Sequence, residues 1–395
     1  MAVTDWQQRL RDAAQQRTAQ VAQRTVRTVQ RRDGARVWVD GRELIDFAGN
    51  DYLGLASDPR LARALRDAAA HGVGASASHL VSGHHAAHAA LEQALARWLD
   101  APRALLLGSG YAGNLAVLQG LLGRADHCIQ DRLNHASLID GARLAACTLH
   151  RYPHADAAAA ERQLAHGSGA GLRLLASDGV FSMDGDVAPL AALAAACARH
   201  DALFYVDEAH ALGVLGSTGA GSVAAAGLST SQVPLRLCTF GKALGCYGAA
   251  LVGDGALIEH LQQSARPYIY TTALPPALAE VAHAAVLLAQ NADAERARLQ
   301  ALIAHLRSGA AQLGMALMPS STPIQPLLIG DNARTVAIAD ALRAHGFWVG
   351  AIRPPTVPPG QARLRITLSA AHSTADIDAL LDALLALAGG TDHAH

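Results

Sequence analysis

Leu235–Gly248, Leu-Arg-Leu-Cys-Thr-Phe-Gly-Lys-Ala-Leu-Gly-Cys-Tyr-Gly, opens on an apolar run with the length of a short buried strand. Thr239, Phe240, a glycine and Lys242 follow, and Gly245 and Gly248 allow a tight turn. Alanine, leucine and cysteine around Lys242 predict an amine largely surrounded by protein. A buried ammonium is costly, so such a lysine sheds its proton or reacts. The common use of a sheltered amine is a Schiff base to a carbonyl substrate or to pyridoxal phosphate. A surface lysine after a strand is the plain alternative.

Outward from this stretch the pattern alternates between about 84 and 260. Helices are predicted at 86–99, 111–122, 136–146 and 189–199. Strands are predicted at 104–107, 127–130, 172–176, 203–206, 235–239 and 249–252. Strands interleaved with helices predict an α/β domain with a mostly parallel central sheet, whose ligands sit beyond the carboxyl ends of strands. After 275 a long helical region, broken near Asn291, leads to strands at 324–329, 348–352 and 363–368 and helices at 333–345 and 374–388, a smaller α+β unit. Before the large domain, 5–32 reads as an amphipathic helical arm docked through Trp6, and 37–47 as a hairpin around Asp40-Gly41. The expected divisions are 1–48, 49–285 and 286–395. Residues 72–83 read as a loop and the last seven as a disordered tail. No internal repeat is present.

Over 395 residues, 51% are hydrophobic and 16% charged, which fits Ala/Leu-built helices around sizeable cores. A net charge of −1 argues against a general nucleic-acid binder. Five cysteines without a C-x-x-C pair fit buried thiols in a reducing compartment. No apolar run is long enough to span a bilayer, and a soluble cytoplasmic protein is expected.

Gly108-Ser109-Gly110-Tyr111-Ala112-Gly113 lies between a strand and a helix, with Asp131 about 20 residues on. That pattern fits a nicotinamide enzyme. It fits any phosphate equally, because free N–H groups and the helix dipole attract an anion, with Ser109, Tyr111 and Asn114 adding donors. Asp207-Glu208-Ala209-His210 spells a helicase box, but the matching phosphate loop is missing: Arg236 and Ala243 stand where glycine and a hydroxyl residue belong. What remains is an acid at a strand end, either a salt-bridge partner or a carboxylate that keeps a pyridine nitrogen protonated. His84, His85 and His88 have metal-compatible spacing, but exposed helix polarity is the simpler reading, and no metal is expected. His135 either supports a helix start or covers a planar cofactor. Arg363 and Arg365 share a strand face, as a carboxylate clamp or as charges guarding an edge.

Several motifs in register resemble the α-oxoamine synthases, pyridoxal-phosphate enzymes of fold type I. They are Asn50-Asp51-Tyr52-Leu53-Gly54, Phe181-Ser182-Met183-Asp184-Gly185-Asp186, Val206–His210, Thr239–Lys242, Ala351–Pro358 and Arg363–Ser369. The resemblance implies that Lys242 carries the cofactor and moves the substrate α-proton, that Asp207 pairs with the pyridine nitrogen, and that Ser182 and His210 bond the ring oxygen. His135 would stack on the ring and polarise the thioester carbonyl. Gly110, Tyr111 and Thr239 would hold the phosphate, with Thr271 or Thr272 reaching in from the other subunit of a homodimer. Asn50 and Arg365 would hold the amino-acid carboxylate, and Arg24 and Thr356 would touch the acyl substrate. The implied reaction joins L-alanine to a pimeloyl thioester, carried on coenzyme A or a carrier protein. A sister acyltransferase using glycine is the nearest alternative; a nicotinamide oxidoreductase and a catalytically silent cofactor binder are the others. His79, where the family often has arginine, and Ala211-Leu212 depart from its pattern.

Overall fold

The computed structural model describes residues 3–166 and 171–389; the tail from 390 on lies outside the described residues. The chain divides into two units. One comprises residues 50–182 and 186–299, the other 1–49, 183–185 and 300–395.

In the unit made from the chain's two ends, β1 (Val29–Asp33), β2 (Arg36–Val39) and β3 (Arg42–Phe47) form an antiparallel set. The larger unit carries β4 (Arg103–Leu107), β5 (His127–Asp131), β6 (Thr148–Tyr152), β7 (Arg173–Asp178), β8 (Leu203–Asp207), β9 (Leu235–Thr239) and β10 (Ala249–Gly253). The end unit then adds β11 (Ile324–Gly330), β12 (Phe347–Ile352) and β13 (Ala362–Thr367). β3 pairs in parallel with β12, so the N-terminal hairpin and the C-terminal strands share one six-stranded sheet. The boundaries expected at 48 and 285 therefore differ from the observed division. Residues 1–49 are not a separate arm, and the crossing point is Leu299/Gln300, inside the helix Asp293–Gln312.

The expected helix over 5–32 ends at Ala19, and β1 occupies its last part. Val26, Thr28 and Val29 are β-branched and favour an extended chain. Trp6 and Leu10 are exposed rather than docked, since one tryptophan and one leucine make too narrow an apolar stripe. β13 lies inside its sheet, between β12 and β11, so Arg363 and Arg365 do not guard an edge; both are buried.

The seven-stranded sheet has the order β4-β10-β9-β8-β7-β5-β6. β10 runs antiparallel to both neighbours, and the remaining pairs beyond it are parallel. β4, β5, β7, β8 and β9 consequently all end at one rim, where β10 begins. The central strands are mostly apolar, with Arg236 and Asp207 as buried exceptions, because helices cover both faces, which hides strands β8 to β10 almost completely. β6 was not anticipated: its Thr-Leu-His-Arg-Tyr is polar because it is the outer strand. Among the described residues, no helix is long and apolar enough to cross a membrane.

Candidate active site

A cavity of about 270 Å³ lies at the rim where those strands end. Each strand contributes at or just past its last residue. β4 is followed by Ser109, Gly110 and Tyr111, β5 by His135 and Ser137, and β9 ends on Thr239 and is followed by Gly241 and Lys242. β7 and β8 end on Asp178 and Asp207, and Asn50, Asn114, Ser182, Ala209, His210, Tyr247 and Gly248 complete the lining.

Ser109 caps the helix Gly110–Leu121, its Oγ accepting the Ala112 N–H at 3.2 Å. A Cβ on Gly110 would stand 2.6 Å from Thr239 Cγ2, so the bare backbone lets the helix start approach that threonine. A helix start beside Thr239 and Ser109 is an anion cradle. Tyr111 donates its hydroxyl to Asp140 at 2.5 Å.

Asp207 is 5% exposed and fixed by two donors, the Ala209 N–H to Oδ1 (2.9 Å) and Asn114 Nδ2 to Oδ2 (2.8 Å). Asn114 is itself set by Tyr205, whose hydroxyl donates to Oδ1 at 2.7 Å. Lys242 is half-buried on the same wall system, and Gly245 turns the chain behind it at φ +62°. It is also the chain's one lysine: the 32 basic residues are 31 arginines and Lys242. That count, readable from the sequence, marks the amine more sharply than its neighbours do.

His135 begins the helix Ala136–Ala145, and its Nδ1 accepts the Ser137 N–H at 3.3 Å and lies 2.7 Å from Ser137 Oγ. Nδ1 as acceptor assigns the ring proton to Nε2. Burial holds the ring below the usual histidine range; Asp207 opposes this, Lys242 adds to it, and Asp140 opposes it. The ring is therefore neutral at pH 7. Behind it, Asp178 Oδ2 accepts the His135 N–H at 3.1 Å, while Oδ1 is buried and has no hydrogen-bond partner. Burial, reinforced by Asp207, pushes Asp178 well above the carboxylate range against the pull of Lys242. Tyr52 ties two further wall residues together, with its hydroxyl 2.5 Å from His210 Nδ1 and 3.2 Å from Asn50 Oδ1.

Of the residues singled out, Asn50, Gly110, Tyr111, His135, Ser182, Asp207, His210, Thr239 and Lys242 line this one cavity. Thr271 and Thr272 do not line it and are exposed. Arg24, Thr356 and Arg365 belong to the end unit. There Arg24 approaches Thr356 Oγ1 at 3.4 Å and Arg365 donates to Thr367 Oγ1 at 2.9 Å. Arg363 is taken up by Asp184 at 2.7 Å. Glu208 is structural: its oxygens accept from Ser222 N, Ser222 Oγ and Val223 N at 2.6–2.8 Å. Asp178, Ser137 and Tyr52 were missed. Asp178 ends an apolar strand as Asp207 does, which is the signal that would have found it.

Asp131, the acid a nicotinamide enzyme would need, does not line the cavity; it accepts from the Leu133 and Ala155 N–H groups and faces His154. His154 bridges Asp131 (3.1 Å) and Asp186 (2.8 Å). Burial works against its proton, but the two carboxylates outweigh it and raise the ring to about 10. With an ordinary value of 6.5, this stabilisation is complete below that pH and lost as pH rises through about 10. The stability deficit of His154→Gln should thus be largest near pH 6 and vanish above 10, as read from denaturation midpoints; a deficit constant across that range would count against the bridge.

Residues 42–384 match the family model described as aminotransferase class I and II. The chain belongs to this family. Within it, the chain is 56% identical over 98% of its length, and 96% of theirs, to proteins named 8-amino-7-oxononanoate synthase from Xanthomonas campestris pv. campestris and Xanthomonas oryzae pv. oryzae. Among solved structures it is similar to a serine palmitoyltransferase from S. paucimobilis with bound PLP (TM-score 0.93, 26% identity, 99% of both chains). It is also similar to 8-amino-7-oxononanoate synthase from Francisella tularensis (TM-score 0.77, 29% identity, 88% of this chain and 98% of that one). Pyridoxal phosphate is the cofactor of these enzymes, and the donor set here fits it. There is one amine for the aldehyde, a strand-end carboxylate for the ring nitrogen, a neutral imidazole for the ring face and a hydroxyl-lined helix start for the phosphate.

Proposed function

We propose that the chain catalyses the decarboxylative condensation of L-alanine with a pimeloyl thioester, giving 8-amino-7-oxononanoate for biotin biosynthesis. The observation that carries the chemistry is the single cavity shared by Lys242, Asp207 and His135. The substrate pair rests on the relatives' name over nearly the whole chain.

Pyridoxal phosphate, when bound, supplies an electron sink for the charge left at the amino acid's α-carbon. Lys242 Nζ holds the cofactor at rest, then takes the α-proton and later returns it. Asp207, its oxygens aimed by Asn114 and Ala209, holds the proton on the ring nitrogen. His135 walls one face, and its Nε2–H is the donor for the thioester carbonyl. Gly110, Tyr111 and Thr239 hold the phosphate, and Ser182 and His210 the ring hydroxyl, with Tyr52 orienting His210. Asn50 and Arg365 bind the alanine carboxylate; Arg24 and Thr356, adjacent in the end unit, meet the acyl substrate. Exposed Thr271 or Thr272 serves the phosphate of a second copy in a homodimer.

An assay of L-alanine and glycine against pimeloyl-coenzyme A and a pimeloyl carrier protein tests this. The expected result is carbon dioxide and 8-amino-7-oxononanoate from alanine with one or both thioesters. A preference for glycine with a short acyl group, or no product from any pair, would overturn it.

A further inference from the structure

The segment leading into the helix Ala86–Trp98, together with that helix's first turn, holds a histidine cluster for which the reaction has no use. His79 opens the short turn His79–Gly83, is 9% exposed, and stacks on Tyr268 with ring centroids 5.0 Å apart and planes 9° from parallel. Its Nδ1 lies 2.9 Å from Nδ1 of His84. His88 follows one turn later, fully buried, and one ligand atom from each of the three rings lies within 4.8 Å of the others. His84 turns its other nitrogen toward Glu92, with Nε2 and Oε2 3.9 Å apart, and Glu92 is anchored by the Leu106 N–H at 3.1 Å.

We propose that His79, His84 and His88 form a binding site for a borderline divalent transition ion of the Zn²⁺ class. Two Nδ1 atoms at 2.9 Å stand just inside the edge of about 3.3 Å that a tetrahedral ion with bonds near 2.0–2.1 Å spans, so a small opening of the pair admits it. A carboxylate behind the far nitrogen of a ligating histidine fixes the tautomer that leaves the near nitrogen's lone pair free, and Glu92, 3.9 Å from His84 Nε2, would take that role on closing by about 1 Å. His88 joins by giving up the His85 N–H that its Nδ1 now accepts at 2.9 Å; His85 is exposed, so water replaces that acceptor. Its Nε2 remains on the Leu274 carbonyl at 2.6 Å. The His84 side chain is 33% exposed, leaving an open side for entry and for a water ligand. Imidazole ligands without thiolates or a first-contact carboxylate favour zinc, nickel or copper over calcium or magnesium. An ion here would clip the 79–88 segment to the strand bridge Ser78–Thr272 and the Leu274 carbonyl.

The test is calorimetric titration of the chelator-dialysed holoprotein with Zn²⁺. One tight event per chain is expected, weakened at least about tenfold in His84→Ala and in Glu92→Gln and unchanged in His85→Ala. His84 is partly exposed, so its replacement leaves the fold intact, and a circular dichroism spectrum matching wild type checks this. Failure to bind stoichiometrically below millimolar Zn²⁺, or equal binding by wild type and His84→Ala, would overturn the site and show a proton-sharing imidazole pair instead. Cofactor content and turnover are read separately, so neither result bears on the proposed reaction.

Discussion

Lys242→Ala should be devoid of turnover and of covalently held cofactor, a loss of about 10⁴-fold or more, the upper range for one positioned proton-transfer group. The expectation rests on the absence of a substitute. Lys242 is the one lysine in 395 residues, and the other ionisable groups on the cavity wall are carboxylates, two histidines and tyrosines. None of these can form an imine. Lys242→Arg separates charge from reactivity: it keeps a cation on a long stem but offers no usable lone pair, and it should be as inactive as alanine. The side chain is half-buried at a turn, so both variants should keep wild-type circular dichroism. An active Lys242→Arg protein would mean that the amine serves only as a positive charge.

Asp207→Asn should lower kcat by about 10- to 10³-fold. A close carboxylate shifts a cationic partner by roughly 1–3 pKa units. That amounts to about 1.4–4 kcal/mol at the step where charge enters the ring. The amide is nearly isosteric, but both oxygens of Asp207 already accept N–H donors, from Ala209 and Asn114. An asparagine NH2 would face one of those donors, so part of the loss would come from a turned side chain. Asn114→Ala separates the two contributions: it removes one guide and keeps the charge, and should cost less than Asp207→Asn. Equal losses from both would assign Asp207 an orienting role alone.

Much of the larger unit was legible because its strands are short, mostly apolar runs ending in or followed by glycine, threonine or an acid, as in Leu235–Thr239 and Leu203–Asp207. Chemistry placed beyond strand ends could be located from those runs, and nine of the residues named from sequence meet in one cavity. What escaped depended on distance along the chain or on position in a sheet. The β3–β12 pairing joins segments some 300 residues apart, and nothing local to Glu43–Phe47 marks Phe347–Val349 as its neighbour. β6 was obscured by its place at the sheet's edge, where polar His150 and Arg151 are tolerated. The His79–His84 contact was obscured because the turn between them has no simple period, while the sequence spacing drew attention to exposed His85.

The most direct measurement is borohydride reduction of the cofactor-loaded protein followed by peptide mass mapping. One cofactor equivalent on the peptide containing Lys242, with loss of visible absorption, is the predicted result. No incorporation, or incorporation that persists in Lys242→Ala, would contradict a cofactor held by that amine.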